Sequence, residues 1–406
     1  MLSVLLLALL FLTNRYLSLG GDRPLIEYAG LDSFSYLEIA KAFPHLPSSG
    51  AEIPFHHAQR GAFPYLIGGL SSLTGIPLET SFFISTILLI ILAVFLFNRL
   101  LSELALPRAG KNILLLFLVL SPYTFRYYIA IPFILNDLFF QVGLVLVILS
   151  LVKQNQGMTF LGFILTVLSR QTALLIIPLI LCWTFLVWPR SANALRKNIY
   201  FSVAILLAGF SIYKVSGSLA ATFSGPNANV AHVVGLANWA RTAFDMKVLS
   251  EFIVRGLMPF MIPLFFILAF VPRFSSAKGK NSQRTKIILL FGTVFLICSQ
   301  PFLGGPLITG PNITRLNCLA IIPFLTALGL GFKEHQIEDR LLELVFPFGC
   351  LIVSLGSFHH VFSFLGGYGS QLALNFTIIH FCLAIFLFLI VLYFRFYGQS
   401  LRGSKT

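Results

Sequence analysis

The chain has 406 residues, of which 57% are hydrophobic and only 10% charged, and its mean hydropathy is +0.90. Soluble domains carry about 25% charged residues, so this chain cannot cover a water-facing surface, and it reads as a multi-span membrane protein. The formal net charge of +14 would point to nucleic acid in a soluble domain. Here the bases belong first to the two membrane faces, and no nucleic-acid partner is expected.

Phe-rich and Leu/Ile-rich runs favour helices over a barrel, because no ten-residue segments of alternating polarity recur. The five cysteines lie in apolar sequence without CxxC spacing, which indicates neither a disulfide framework nor a zinc site. A helix crossing about 30 Å of hydrocarbon needs roughly 20 mostly apolar residues. On that measure the predicted fold is an all-α transmembrane bundle of about twelve spans, within a range of ten to thirteen. In chain order they fall near 1–18, 79–100, 111–126, 136–152, 157–169, 172–188, 198–216, 255–272, 286–304, 315–332, 343–362 and 373–394. The fifth and sixth are cut apart by Ser169, Arg170 and Gln171.

Orientation follows from the short basic loops. Placing Arg99, Arg108, Lys111, Lys153, Arg196, Lys197, Lys286 and Lys333 inside puts both termini in the cytoplasm. Residues 19–78 and 217–254 then face outward, in an inner or plasma membrane. Ser18-Leu19-Gly20 also reads as a signal-peptidase site, and cleavage there leaves that sidedness unchanged.

The outward segment 19–78 has helix grammar. Ser35 and Glu38 have capping-box spacing, and Asp32 stands at the helix entrance, where a carboxylate favours the positive dipole end. Tyr36, Ile39 and Phe43, or Phe34, Leu37 and Lys41, form stripes suited to a membrane surface. Asp32 is thus either a cap or a site acid. His56 and His57 are adjacent, and in an extended segment their side chains diverge, which makes a poor chelating pair.

The order of these features resembles the GT-C superfamily of integral-membrane glycosyltransferases. It is carried by a first span, Asp32-Ser33-Phe34-Ser35-Tyr36, His56-His57-Ala58-Gln59-Arg60, Phe63-Pro64-Tyr65 and a Gly75-Ile76-Pro77 break. It continues with Asn136-Asp137-Leu138 at the fourth span and Arg170 between the fifth and sixth, covering about the first 190 residues. This divides the chain into an N-terminal module, 1–190, and C-terminal helices, 191–406. The resemblance implies transfer of a hexosyl or pentosyl group from a polyprenyl-phosphate carrier at the non-cytoplasmic face. The implied partners are the lipid-linked donor and membrane lipids.

Such a transfer needs a base for the acceptor hydroxyl and cations for the phosphate. Asp32 and Asp137 are the candidate catalytic acids, with Asp32 as base and Asp137 orienting it, binding the acceptor or holding a metal. Tyr36, His56, His57, Arg60, Arg170 and Arg315 are the candidate substrate-binding residues, since arginine suits phosphate recognition. No metal ligand is assigned; metal use varies in the family, so a divalent cation stays open as cofactor. Arg315 follows a glycine-rich turn, Gly304-Gly305-Pro306 to Asn312-Ile313-Thr314, which lacks the ending of a Walker loop. Trp239, Arg241, His359, His360 and Tyr368 are further outward candidates. The rival readings are a polymerase or ligase acting on lipid-linked glycans and a transporter; no inverted repeat supports the latter.

Overall fold

The computed structural model describes residues 2–12, 30–48, 53–120, 124–188, 191–224, 281–309 and 313–334, with a few positions between 248 and 260 and between 382 and 393. The expected spans at 343–362 and 373–394, most of 255–272, and Trp239, Arg241, His359, His360 and Tyr368 lie outside the described residues or almost wholly so.

The described elements are helices: α1 (Leu2–Leu12), α2 (Gly30–Lys41), α3 (Phe55–Ala58), α4 (Ala62–Thr74), α5 (Leu78–Glu103), α6 (Arg108–Leu120) and α7 (Phe125–Ala130). They continue with α8 (Asn136–Val152), α9 (Gln156–Ser169), α10 (Ile177–Leu186), α11 (Ala192–Phe223), α12 (Asn281–Thr309), α13 (Ile313–Cys318) and α14 (Ile321–Glu334). Among the described residues five stretches are long and apolar enough to cross a membrane. The protein is an all-α integral membrane protein.

Three of those stretches, within α5, α11 and α12, keep much of their apolar surface exposed, as lipid-facing helices must, whereas the stretch Pro132–Val152 is buried nearly all round. A helix apolar on every face belongs in the centre of a bundle, and α8 fills that place, packed between α5 and α9. Its crossing with α9 is close. A Cβ built on Gly143 would meet the Gly162 carbonyl at 2.8 Å, and one on Gly162 would meet the Val147 nitrogen at 2.9 Å. Small residues at membrane helix crossings let backbones approach, and this crossing brings the start of α8 beside the end of α9.

The bundle has two chemically different ends. At one, Lys153 pairs with Glu103, Lys111 donates to Ser102, and Lys333 donates to the Leu104 carbonyl. At the other lie Asp137, in the first turn of α8, and Arg170, the extended residue that follows the end of α9. The 17 residues of α8 separate the ends by about 25 Å at 1.5 Å per residue.

Local structure departs from the sequence reading at three places. First, α2 begins at Gly30, so Ser35 is a mid-helix residue and not a cap; Glu38 pairs with Lys41 instead. Of the stripes, Tyr36, Leu37 and Ile39 are buried and Phe34 is exposed. Second, residues 62–74, within the outward segment 19–78 but assigned no helix of their own, form α4, which ends at Gly75 with φ 69°. Third, α10 is preceded by a 3-10 turn over Gln171–Ile176, because Arg170 has extended backbone and interrupts the helix.

Candidate functional site

The two candidate acids and the six candidate substrate-binding residues are all described, and most converge on one end of the bundle. Asp32 comes from the first turn of α2 and is held from two sides. Its Oδ1 lies 2.9 Å from His57 Nε2, and its Oδ2 accepts a 2.6 Å hydrogen bond from Arg315 Nη2. Arg315 Nε lies 2.9 Å from Asp137 Oδ2 in an ionic contact without hydrogen-bond alignment. Asp137 Oδ1 accepts from Arg170 Nη1. The chain of groups therefore runs His57, Asp32, Arg315, Asp137, Arg170. Through the fixed fork of one guanidinium, the two carboxylates stand no more than about 8 Å apart.

Each position has a local cause. Asp137 is delivered to the site by the α8–α9 crossing, which also sets Arg170 against it. Arg315 sits on α13, which is tied down by the Thr314 hydroxyl on the Arg255 carbonyl and by Asn317 Nδ2 on the Gly256 carbonyl, at 2.9 and 2.7 Å. Tyr127 of α7 adds a hydrogen bond to Arg315. His57 lies on the one-turn helix α3, not in an extended segment; its ring centroid is 4.1 Å from that of His56 and 5.4 Å from that of Tyr36. His57 is buried, while His56 points outward and is exposed. Arg60, just after α3, donates to Gln171 Oε1 at 3.0 Å and hydrogen-bonds Tyr36, while its carbonyl accepts from Asn136 Nδ2.

Exposure divides the two acids. The Asp32 side chain is 22% exposed, against 3% for Asp137, 4% for Arg170 and 7% for Arg315. Burial alone would raise the Asp32 pKa, but the Arg315 charge and the His57 hydrogen bond outweigh it and hold the carboxyl well below its usual range. Burial pushes His57 below its usual 6.5, opposed only in part by Asp32. A neutral imidazole facing an ionised carboxylate carries its proton on Nε2, so Nδ1 accepts from the Ser35 hydroxyl 3.0 Å away. Both ring nitrogens are thereby engaged.

Three guanidiniums, from Arg60, Arg170 and Arg315, face two carboxylates in this cluster, and Arg170 Nε has no partner. The surplus is positive. Buried charge without full compensation is unfavourable, and an anion carrying several oxygens would supply what the cluster lacks. A divalent cation fits less well, since Arg315 already lies between the two acids. Among the described residues no group of three or more His, Cys, Asp or Glu is arranged to hold a metal.

Four contributors went unassigned in the sequence reading. Ser35 was taken for a cap, Gln171 for a mere interruption, Asn136 was quoted only as the neighbour of Asp137, and Tyr127 carried no signal. The polarity of Gln171 within an apolar stretch, directly after Arg170, was the available clue.

No protein-family model and no curated protein matches this chain. Among solved structures it is similar to the oligosaccharyltransferase of Archaeoglobus fulgidus in its apo form, with 13% identity and a TM-score of 0.43. The match covers 95% of this chain and 56% of that one, so the chain spans little more than half of its neighbour's length.

Proposed function

We propose that the protein is a membrane glycosyltransferase that moves a hexosyl or pentosyl group from a polyprenyl-phosphate carrier to a hydroxyl acceptor at the non-cytoplasmic face. The observation that supports this most is the pairing of Asp32 and Asp137 through Arg315, within a surplus of guanidiniums, at the end of the bundle away from the basic loops. The Gly-free acid segment Asp32 to Tyr36 and the acid at the head of α8 are the same features that carry the sequence resemblance to GT-C enzymes.

Asp32, the more exposed acid, takes the acceptor proton as the acceptor oxygen bonds to the anomeric carbon. The bond from that carbon to the carrier phosphate breaks, and its electron pair leaves with the phosphate. A carboxylate with a depressed pKa is a weak base, so its proton transfer comes late, once the attacking hydroxyl has been made acidic by bond formation. Arg60 and Arg170 receive the charge that develops on the leaving phosphate. Asp137 and His57 orient Arg315 and Asp32 and do not touch the reacting atoms.

The test is transfer in membranes or nanodiscs from polyprenyl-phosphate donors bearing different labelled hexoses and pentoses. Asp32→Asn is expected to lower transfer by about 10²–10⁴-fold while the protein remains folded in the membrane. Full transfer by that variant would remove Asp32 from the chemistry, and absence of transfer by the wild type from every such donor would remove the reading itself.

A further inference from the structure

We infer that Arg315 is a built-in cation: its guanidinium takes the place between the Asp32 and Asp137 carboxylates that a divalent metal would occupy, so the two-acid centre works without a metal ion. The inference deepens the proposed transfer and concerns the same site. Its test reads metal binding as well as transfer, so the two stand or fall separately.

Geometry carries it. Arg315 presents two neighbouring nitrogens of one planar fork to two different acids, Nη2 to Asp32 at 2.6 Å and Nε to Asp137 at 2.9 Å. A metal held by the same two acids would have to displace that guanidinium, which also hydrogen-bonds Tyr127 and stands on α13, a helix anchored on the carbonyls of residues 255 and 256. The remaining oxygens are engaged as well, Asp32 Oδ1 by His57 and Asp137 Oδ1 by Arg170. His57 has no free ring nitrogen to offer as a third ligand. Hard divalent cations want six or more oxygen donors, or four where nitrogen ligands contribute, and the described residues gather no such set.

The arrangement also has a physical consequence for Asp32. A guanidinium stays charged at any working pH, so it keeps Asp32 ionised without depending on the supply of an ion. It gives less charge than a divalent metal, and Arg60 and Arg170 make up the difference. Arg315 is a positioning residue in this scheme, acting on the reacting atoms through Asp32.

The experiment uses the full-length protein in nanodiscs, with Mn²⁺ as the probe read by electron paramagnetic resonance, and transfer measured with and without EDTA. The wild type is expected to hold no Mn²⁺ at the site and to transfer equally well in EDTA. Arg315→Ala, which opens the space between the acids, is expected to gain Mn²⁺ binding that the wild type lacks and to lose that gain when Asp32→Asn is added. Arg315→Lys keeps the charge and is expected to remain metal-free. Stoichiometric Mn²⁺ on the wild type that disappears in Asp32→Asn would overturn the inference, as would a folded Arg315→Ala that gains no Mn²⁺. If Arg315→Ala does not fold, the wild type and Arg315→Lys still decide: Mn²⁺ on either overturns it, and its absence from both, with transfer unaffected by EDTA, supports it.

Discussion

The Asp32 carboxylate accepts a 2.6 Å hydrogen bond from Arg315, a residue 283 positions further along the chain. The partners come from opposite halves of the sequence, one from the outward segment before α5 and one from the short helix before α14. The same guanidinium reaches Asp137, so a single side chain holds both candidate acids.

The two acids should differ in what they contribute to stability. Asp137→Asn leaves Arg170 and Arg315 buried against a neutral amide, and removal of one partner from a buried ion pair destabilises by about 3–5 kcal/mol. Asp32→Asn acts where the side chain is 22% exposed, and water takes up part of the loss. Thermal unfolding in detergent should therefore show the larger fall in midpoint for Asp137→Asn. An equal or smaller fall would mean that Asp137 is not locked in the network.

His57 and Asp32 predict acid sensitivity of the fold. The His57 pKa is lowered below its usual 6.5, so its contribution is fully present above pH 6.5 and is lost as pH falls below it, where the unfolded chain takes up protons that the folded one refuses. Asp32 has a depressed pKa, and its contribution, present above the usual carboxylate pKa, is lost only at lower pH, as acid protonates the folded carboxyl. The thermal midpoint should begin to drop near pH 6.5 and drop again in the carboxylate range. In His57→Gln, which retains an amide donor toward Asp32, the first drop should shrink to the part carried by His56, whose pKa is lowered by desolvation to about 3, while the second stays. An unaltered profile in that variant would exclude His57 as its origin.

Two neighbouring glycines on α4 should respond differently to the same change. A Cβ at Gly68 would stand 2.0 Å from the Ala40 carbonyl oxygen, which is backbone and cannot swing away, whereas one at Gly69 would meet the Phe43 ring at 3.0 Å. Gly68→Ala must push α2, and Asp32 with it, off α4; overpacking of this kind costs about 1–3 kcal/mol. Transfer and thermal midpoint should both fall in Gly68→Ala and change much less in Gly69→Ala. Equal behaviour would argue against the close α2–α4 contact.

If Arg60 holds the donor phosphate before transfer as well as receiving its developing charge, its loss should appear in donor binding as well as in kcat. A hydrogen bond to a charged group is worth about 1.5–3 kcal/mol, so Arg60→Ala should raise KM for the lipid-phosphate donor by roughly 10–100-fold, with the KM for the acceptor unchanged. Gln171→Ala, which releases Arg60 Nε from its 3.0 Å partner, should raise the donor KM to a smaller extent. A fall in kcat alone for Arg60→Ala would assign it to the transition state and not to donor binding.

Much of the architecture was legible because bilayer thickness imposes a run length on each helix. Leu78–Glu103 and Asn136–Val152 fall almost where the apolar runs put them, and the basic residues Lys111, Lys153 and Lys333 gather at one end of the bundle. Local backbone was less legible. Ser35 and Glu38 have the spacing of a cap in the middle of a helix, because the pattern does not report where the helix begins; Gly30 does so only in three dimensions. The histidine pair was read as extended, and one turn of helix instead sends His57 inward and His56 outward.

By itself the sequence determined the solvent of this protein and the inventory of its charges: too few to live in water, and so few outside the basic loops that the outward charges were the places to look for function. That follows from transfer energetics, which depend on residue type and run length alone. Which of those charges meet was decided by the tertiary structure. The Gly143–Gly162 crossing sets Arg170 on Asp137, and the anchoring of α13 carries Arg315 across the chain to Asp32. Pairing of buried charges depends on ångström distances between helices, and no periodicity along one strand of sequence encodes those.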